Sequence, residues 1–185
     1  LTKKGIDAAL EMGAPLMTLW LGQDGFDYSF QGDYAKMWAD EIDGIREVAA
    51  HAPECMISIE YKPNEPRSFA LLPDVATTLL AIDEVGLDNL GVTLDFAHVL
   101  YADEMPAFAA TLIARRSRLL GVHLNDGYGK RDDGLMVGSV QTQIKRDGYD
   151  GVIYFDTFPD ASGIDPVEEC AANIEMTERL MAIAV

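Results

Sequence analysis

Short apolar runs recur along the chain and are separated by longer segments in which apolar and polar positions alternate with a helical period. The runs are nearly continuous in Leu, Ile, Val, Tyr or Phe, a pattern typical of strands that are buried on both faces of a parallel sheet. They cover residues 16–20, 56–61, 90–96, 119–124 and 152–155. The sequence therefore predicts five strands.

The segments between the strands have the amphipathic pattern of helices. They cover residues 3–12, 33–50, 73–85, 104–117 and 166–184. Asp165 is a predicted N-cap of the last helix and Pro166 its first residue, where the missing N–H of proline costs nothing. Repeated alternation of strand and helix predicts parallel βαβ units.

Two α/β architectures fit this alternation: a doubly wound open sheet and a (β/α)₈ TIM barrel. Nucleotide-binding open sheets have a glycine-rich turn after the first strand, and no strand here is followed by such a turn. The barrel is therefore favoured. Because a barrel needs eight strands and about 250 residues, residues 1–185 are predicted to form a single, partial barrel domain of about five βα units that lacks three N-terminal units.

The net charge of −17 argues against nucleic acid as a partner, because the phosphate backbone would be repelled. No apolar run reaches the roughly 18 residues of a membrane span, and the first residues lack the apolar region of a signal peptide. Cys55 and Cys170 lie far apart and in no CxxC pattern. These features predict two reduced, buried thiols in a cytoplasmic protein with no membrane partner.

An ionisable residue ends four consecutive predicted strands. The C-terminal ends of barrel strands form the rim where TIM-barrel enzymes hold their active sites. Carboxylates that converge there would be costly to bury and would repel one another unless a cation is bound. The oxygen-rich set suits Mn²⁺, Mg²⁺ or Co²⁺, with Zn²⁺ as an alternative. The four residues are Glu60, Asp95, His123 and Asp156.

Residues near these strand ends supply candidate ligands for a second metal. His98 follows Asp95 by three positions, on what is predicted to be the same loop, and Asp132 and Asp133 lie in the loop after the fourth strand. Two neighbouring ions can hold two oxygens of one substrate. Taken singly, each residue has a structural alternative: Asp95 as an N-cap, the histidines as hydrogen-bonded core residues, and the Asp132–Gly134 and Asp126–Gly127 segments as exposed turns.

Two further residues are candidate contacts for a substrate. Lys62 lies two positions beyond Glu60, on the same face of the strand, where an ammonium can hold or polarise a substrate oxygen. The alternative is a surface lysine that pairs with Glu65. Trp20 ends the first strand and is followed by glycines at positions 22 and 25, which suits an aromatic wall for a sugar; the alternative is a packed core tryptophan.

The segment Glu60-Tyr61-Lys62-Pro63-Asn64-Glu65-Pro66-Arg67 closely resembles the E-x-K-P-N-E-P-R segment of xylose isomerases. Residues 20–25 are similar to their W-G-G-R-E-G segment, with departures at positions 21, 23 and 24, and residues 155–156 resemble their late F-D strand. The D-x-x-H spacing at residues 95–98 and the strand-end His123 are more similar to L-rhamnose isomerases. The resemblance extends over nearly the whole chain in the same order.

This resemblance implies a metal-dependent aldose–ketose isomerase that acts on an open-chain sugar by a 1,2-hydride shift. Carried over by position, the four strand-end residues would hold one metal. His98 and Asp132 would hold the catalytic metal, and Lys62 would assist at the carbonyl. Trp20, Lys62 and Glu60 would contact the substrate. The family's second aspartate falls at Gly134 or shifts to Asp133. A homo-oligomer, dimer or tetramer, is implied as well.

Two other functions compete with this interpretation. A ketose 3-epimerase would use one metal and two flanking carboxylates, for which Glu60 and Asp156 are candidates, and would leave Lys62 and His98 unexplained. A non-catalytic sugar- or metal-binding remnant would fit the missing strands and Gly134. By itself, the chain is predicted to be inactive unless a complementary segment completes the barrel.

Overall fold

The computed structural model describes residues 1–141, 149–158 and 163–183. All five predicted strands are present within these ranges. They are β1 Leu16–Trp20, β2 Met56–Glu60, β3 Leu90–Asp95, β4 Leu119–Leu124 and β5 Ile153–Phe155. The described helices are α1 Thr2–Glu11, α2 Tyr34–Ala49, α3 Val75–Val85, α4 Phe96–Tyr101, α5 Pro106–Arg116 and α6 Pro166–Ile183.

The strands form one parallel sheet in the order β1-β2-β3-β4-β5, so every strand pairs with the next one along the chain. A doubly wound sheet would instead reverse its order at a switch point. Sequential order is that of a barrel wall, and the prediction of a partial TIM barrel with about five βα units is confirmed. In the register, Trp20 lies opposite Glu60 and Asp95 lies opposite His123, which brings the strand ends level at one rim.

The two faces of the sheet differ in chemistry. Alternate residues such as Ile57, Ile59 and Leu94 pack in the apolar core that the sheet shares with the helices. The residues between them face the other side, where Ser58 and Thr93 are buried and their hydroxyls lie 2.6 Å apart. A small layer of hydrogen-bonded polar side chains therefore lies next to the rim, on this face of the barrel wall.

Local signals explain where the helices begin. The side chain of Asp33 accepts a hydrogen bond from Lys36 N at the start of α2, and Asp74 accepts one from Thr77 N at the start of α3. Asp165 accepts from Val167 N, as expected for the predicted N-cap of α6. Residue 184, the predicted end of that helix, lies outside the described residues.

Helix α4 was not predicted, and it changes the position of His98. Asp95 ends β3 and its carboxylate accepts a hydrogen bond from His98 N at 2.9 Å, so a helix begins directly after the strand. His98 therefore lies in a helix and not in a loop. The predicted helix 104–117 begins only at Pro106.

The two cysteines differ in their exposure to solvent. Both cysteines are free, but Cys170 is exposed, so the prediction that it is buried was wrong; Cys55 is buried as predicted. Cys170 lies on α6, on a face that no described element covers.

Among the described helices, none combines the length and the low polarity needed to cross a lipid bilayer.

Candidate metal centre

The four strand-end residues predicted to bind a metal converge at the rim. One ligand atom from each lies within 4.8 Å of the others. Bond lengths of about 2.0 to 2.3 Å would separate ligands on opposite sides of one ion by roughly 4 to 4.6 Å. The group therefore has the size of a single-ion site. It consists of Glu60, Asp95, His123 and Asp156.

The imidazole of His123 lies at the centre of this group. Its Nδ1 atom is 3.4 Å from Glu60 Oε1, 3.7 Å from Asp95 Oδ2 and 3.9 Å from Asp156 Oδ2. This nitrogen is buried and has no hydrogen-bond partner among the described residues. A buried nitrogen without a partner that faces three carboxylates is what a divalent cation would satisfy, so the residues fit the ion that the sequence predicts.

The acid–base properties of the group have the same origin. Burial raises the pKa of Asp95, and burial together with the charge of Glu60 raises the pKa of Asp156. Burial would lower the pKa of His123, but the nearby carboxylates, Glu60 above all, outweigh it and the pKa is raised. The free site therefore favours protonated forms, and metal binding would release those protons.

A second set of residues adjoins the centre. Asp132 Oδ2 lies 2.9 Å from Lys62 Nζ and 3.2 Å from His98 Nε2. Burial would raise the pKa of Asp132, but the hydrogen bonds from His98 and Lys62 outweigh it and the pKa is lowered. On its other side, His98 Nδ1 lies 3.5 Å from Glu60 Oε1. Asp132 is thus an ionised carboxylate shared by a lysine and a histidine.

Lys62 is not the surface lysine that was one alternative, because only 9% of its side chain is exposed. It does pair with Glu65 at 3.4 Å, in addition to Asp132. Its ammonium also lies 5.2 Å from the centre of the Trp20 ring. Trp20 is half exposed and lines a cleft with Glu60 and Lys62, so it forms an aromatic wall and is not a packed core residue.

Asp133 and Gly134 do not add a second carboxylate beside Asp132. Asp133 Oδ2 accepts from Tyr128 N, and its Oδ1 accepts from Arg131 Nε, so the carboxylate is bound within its own loop. Gly134 has a φ of +54°, and a Cβ atom there would lie 2.5 Å from the ring of Phe158. Neither position therefore adds a ligand to His98 and Asp132 for a second ion.

The acidic turns of this loop are less exposed than the sequence suggested. Asp132 and Asp133 have 11% and 3% of their side chains exposed. Asp126 is buried, and its carboxylate accepts hydrogen bonds from Val140 N and Gln141 N. The alternative of exposed turns therefore does not hold here: Asp126 and Asp133 bind groups within the loop, and Asp132 binds Lys62 and His98.

Sequence reasoning gave no role to Asn125, which the structure places against two of the candidate ligands. Its side-chain nitrogen lies 2.9 Å from Asp95 Oδ2 and 3.0 Å from the backbone oxygen of Asp156. A signal was present, because Asn125 follows His123 by two positions and so shares its face of the chain.

Comparison with known proteins defines the class. The family described as "Xylose isomerase-like TIM barrel" matches residues 1–180. The chain belongs to this family. It is similar to the xylose isomerase of Thermus thermophilus, with 26% identity over 165 residues, which cover 82% of this chain and 43% of that protein. The chain thus spans less than half the length of this curated relative.

Solved structures share the fold. A D-tagatose 3-epimerase-like protein superimposes with a TM-score of 0.78 at 19% identity, covering 98% of this chain and 67% of that one. The IolI protein with a bound zinc atom superimposes with a TM-score of 0.73 at 14% identity, covering all of this chain and 69% of that one. At such identities these matches establish the fold alone.

Proposed function

We propose that this chain carries the metal-binding part of the active site of a sugar isomerase or epimerase. The observation that carries the proposal is the convergence of Glu60, Asp95, His123 and Asp156 within 4.8 Å at the rim of a barrel wall. The chain resembles a xylose isomerase and a 3-epimerase-like protein, and both isomerases and epimerases belong to the isomerase class of enzymes. This similarity supports an isomerase function for the chain. Mn²⁺, Mg²⁺ and Co²⁺ suit the oxygen-rich set, and Zn²⁺ is an alternative.

The geometry favours one ion over two. In the described parts of the chain, these four residues are the only group of His, Cys, Asp and Glu with the spacing of a metal site. Asp132 pairs with Lys62 at 2.9 Å, and no second carboxylate joins it at Gly134. In a single-ion site, Lys62 and His98 would keep the hydrogen bonds to Asp132 that the structure shows, which gives both residues a role in the epimerase candidate.

The favoured reaction is proton transfer at the carbon next to a sugar carbonyl, as in a ketose 3-epimerase. When bound, the ion would polarise that carbonyl and lower the cost of removing the proton. Glu60 Oε1 and Asp156 Oδ2 lie 3.4 Å and 3.9 Å from His123 Nδ1, and these two carboxylates are the candidates to accept and return the proton. Lys62 and the Trp20 ring form the adjoining wall, where an ammonium and an aromatic face suit a polyhydroxylated substrate.

The second candidate is the two-metal aldose–ketose isomerase with a 1,2-hydride shift. It is favoured by the contact between His98 Nε2 and Asp132 Oδ2, which brings together the two predicted ligands of a catalytic ion. Lys62 would then assist at the carbonyl. Both candidate functions use a sugar as the small-molecule substrate. In both, we expect the protein to assemble as a dimer or tetramer.

Two measurements separate the candidates. Elemental analysis after dialysis against Mn²⁺ should give one ion per chain for the wild type and for His98→Ala; two ions falling to one on mutation would favour the two-metal isomerase. Once a complementary segment completes the barrel, turnover of ketoses in D₂O should place deuterium on the product carbon if a proton is transferred, whereas a hydride shift leaves the product unlabelled. No bound metal in the wild type would overturn both candidates.

A further inference from the structure

Asn125 joins three successive strand ends through one side chain. Its amide nitrogen lies 2.9 Å and 3.1 Å from the two oxygens of Asp95, at the end of β3. The same nitrogen lies 3.0 Å from the backbone oxygen of Asp156, just after β5. Asn125 itself follows β4 and only 4% of it is exposed.

The orientation of this amide is fixed from its other end. Asn125 Oδ1 accepts a hydrogen bond of 2.7 Å from the backbone N–H of Ala97, at the start of α4. Because the oxygen is held there, the two N–H donors must face Asp95 and Asp156. One donor serves a carboxylate and the other serves a carbonyl, so all polar atoms of the side chain are used.

The orientation of the Asp95 carboxylate depends on these donors. Its carboxylate is buried and accepts hydrogen bonds from Asn125 and from His98 N, and burial raises its pKa. The His98 N–H is fixed by the backbone, and the Asn125 amide is fixed by its bond to Ala97. Together these donors set the plane of the Asp95 carboxylate and therefore the direction of its remaining lone pairs.

The position of the Asp156 backbone also depends on Asn125. Strand β5 has three residues and pairs only with β4 among the described strands, and Asp156 follows it. Asp156 N donates to Leu124 O at 3.2 Å, and its carbonyl accepts from Asn125. These two contacts on one side of the chain fix where the Asp156 side chain begins.

We propose that Asn125 is a positioning residue that sets the separation of the Asp95 and Asp156 carboxylates and thereby the affinity of the centre for a divalent ion. The proposal rests on the metal centre of the proposed function. Residues that orient metal ligands typically contribute 10- to 100-fold to metal affinity, so Asn125→Ala should weaken Mn²⁺ binding by about 10- to 100-fold.

The chain supplies a matched control. Asn89 is also buried, and its amide nitrogen donates to the backbone oxygens of Ala49 and Cys55, 2.9 Å away in each case. It precedes β3, at the opposite end of the strand from Asp95. Asn89→Ala removes the same group from an equally buried place without touching the centre.

The experiment measures Mn²⁺ affinity by calorimetry and thermal unfolding of the metal-free protein for wild type, Asn125→Ala and Asn89→Ala. Both variants should lose stability, and only Asn125→Ala should lose affinity. The isosteric Asn125→Asp keeps an acceptor for Ala97 N–H but no donor for Asp95, and should shift the visible absorption of bound Co²⁺, which reports ligand geometry.

Three results would count against the proposal. Equal Mn²⁺ affinities of the two alanine variants, whether both normal or both reduced, would make Asn125 structural only. A Co²⁺ spectrum of Asn125→Asp identical to that of the wild type would do the same. A wild-type protein that binds no Mn²⁺ would instead overturn the metal centre, which separates the failure of the proposed function from the failure of this inference.

Discussion

Lys62 Nζ lies 2.9 Å from Asp132 Oδ2, although 70 positions separate the two residues in the sequence. Lys62 follows β2, and Asp132 lies in the loop after β4. The pairing gives the buried ammonium a counter-ion and gives the loop a fixed point at the rim. It also occupies the carboxylate that the family resemblance would assign to a second metal ion.

Lys62→Met tests the role of this pair. Methionine keeps the length of the side chain and removes the charge, so a substrate oxygen would lose its donor. Removing one such donor typically costs about 10²- to 10³-fold in turnover, and we expect that loss in the barrel completed by a complementary segment, with the Mn²⁺ stoichiometry unchanged. Lys36→Met is the control, since Lys36 is an exposed lysine paired with Asp40. Normal turnover in Lys62→Met would exclude a part in catalysis.

His123→Ala tests the metal centre through stability. An ion that binds only the folded state stabilises it by about 2.7 kcal/mol at 100 times its dissociation constant. Wild type should gain this amount when Mn²⁺ is added, and His123→Ala should gain almost nothing at the same concentration. Denaturant titrations with and without EDTA measure the gain. The surface residue His51, paired with Asp7, provides the control variant His51→Ala; a full gain in His123→Ala would contradict the assignment.

Gly134→Ala tests whether the loop has room for a side chain where the family has an aspartate. The φ of +54° and the Phe158 ring both oppose a Cβ atom, so we expect a loss of about 2 to 4 kcal/mol in the free energy of unfolding. Gly13→Ala shares the positive φ, +80°, but has no neighbour within 4 Å, and should lose only about 1 kcal/mol. Urea titrations compare the two variants, and equal losses would show that Phe158 moves aside.

Glu41→Gln tests a half-buried carboxyl outside the metal centre. Burial and the charge of Asp24 raise the pKa of Glu41 from 4.5 to about 8, and Glu41 Oε1 has no hydrogen-bond partner among the described residues. Between these pH values the folded state holds a proton that the unfolded state has lost, so stability falls as pH rises through this window. At pH 8 the glutamine variant should be more stable by about 2 to 4 kcal/mol.

The measurement for Glu41 is the free energy of unfolding from pH 5 to pH 8. The fall with rising pH should be smaller in Glu41→Gln than in the wild type. Glu47→Gln is the control on the same helix, because Lys3 lowers the pKa of Glu47, and a lowered carboxyl pKa adds no fall in stability as pH rises. An unchanged pH dependence in Glu41→Gln would show that Glu41 is ionised in the folded protein.

The candidate metal centre could be predicted because each of its members occupies a position that local pattern defines. A buried strand in a parallel sheet is a continuous apolar run, so a charged residue at its end stands out, as Glu60 and Asp95 do. Since all strands of the sheet point the same way, their ends must meet at one rim. Convergence of the four side chains then follows from the alternation of strands and helices.

What the sequence left open depends on side-chain contacts between distant segments. Whether Asp132 or Asp133 reaches the rim, whether Lys62 pairs there, and whether a side chain fits at Gly134 are decided by the path of one irregular loop and by Phe158. The same holds for Asn125, whose partners come from two other strand ends. Hydrophobic periodicity determines strands, helices and their order by itself, because it reports local burial; the orientation of polar groups in loops is determined only when tertiary packing brings their partners within hydrogen-bonding distance.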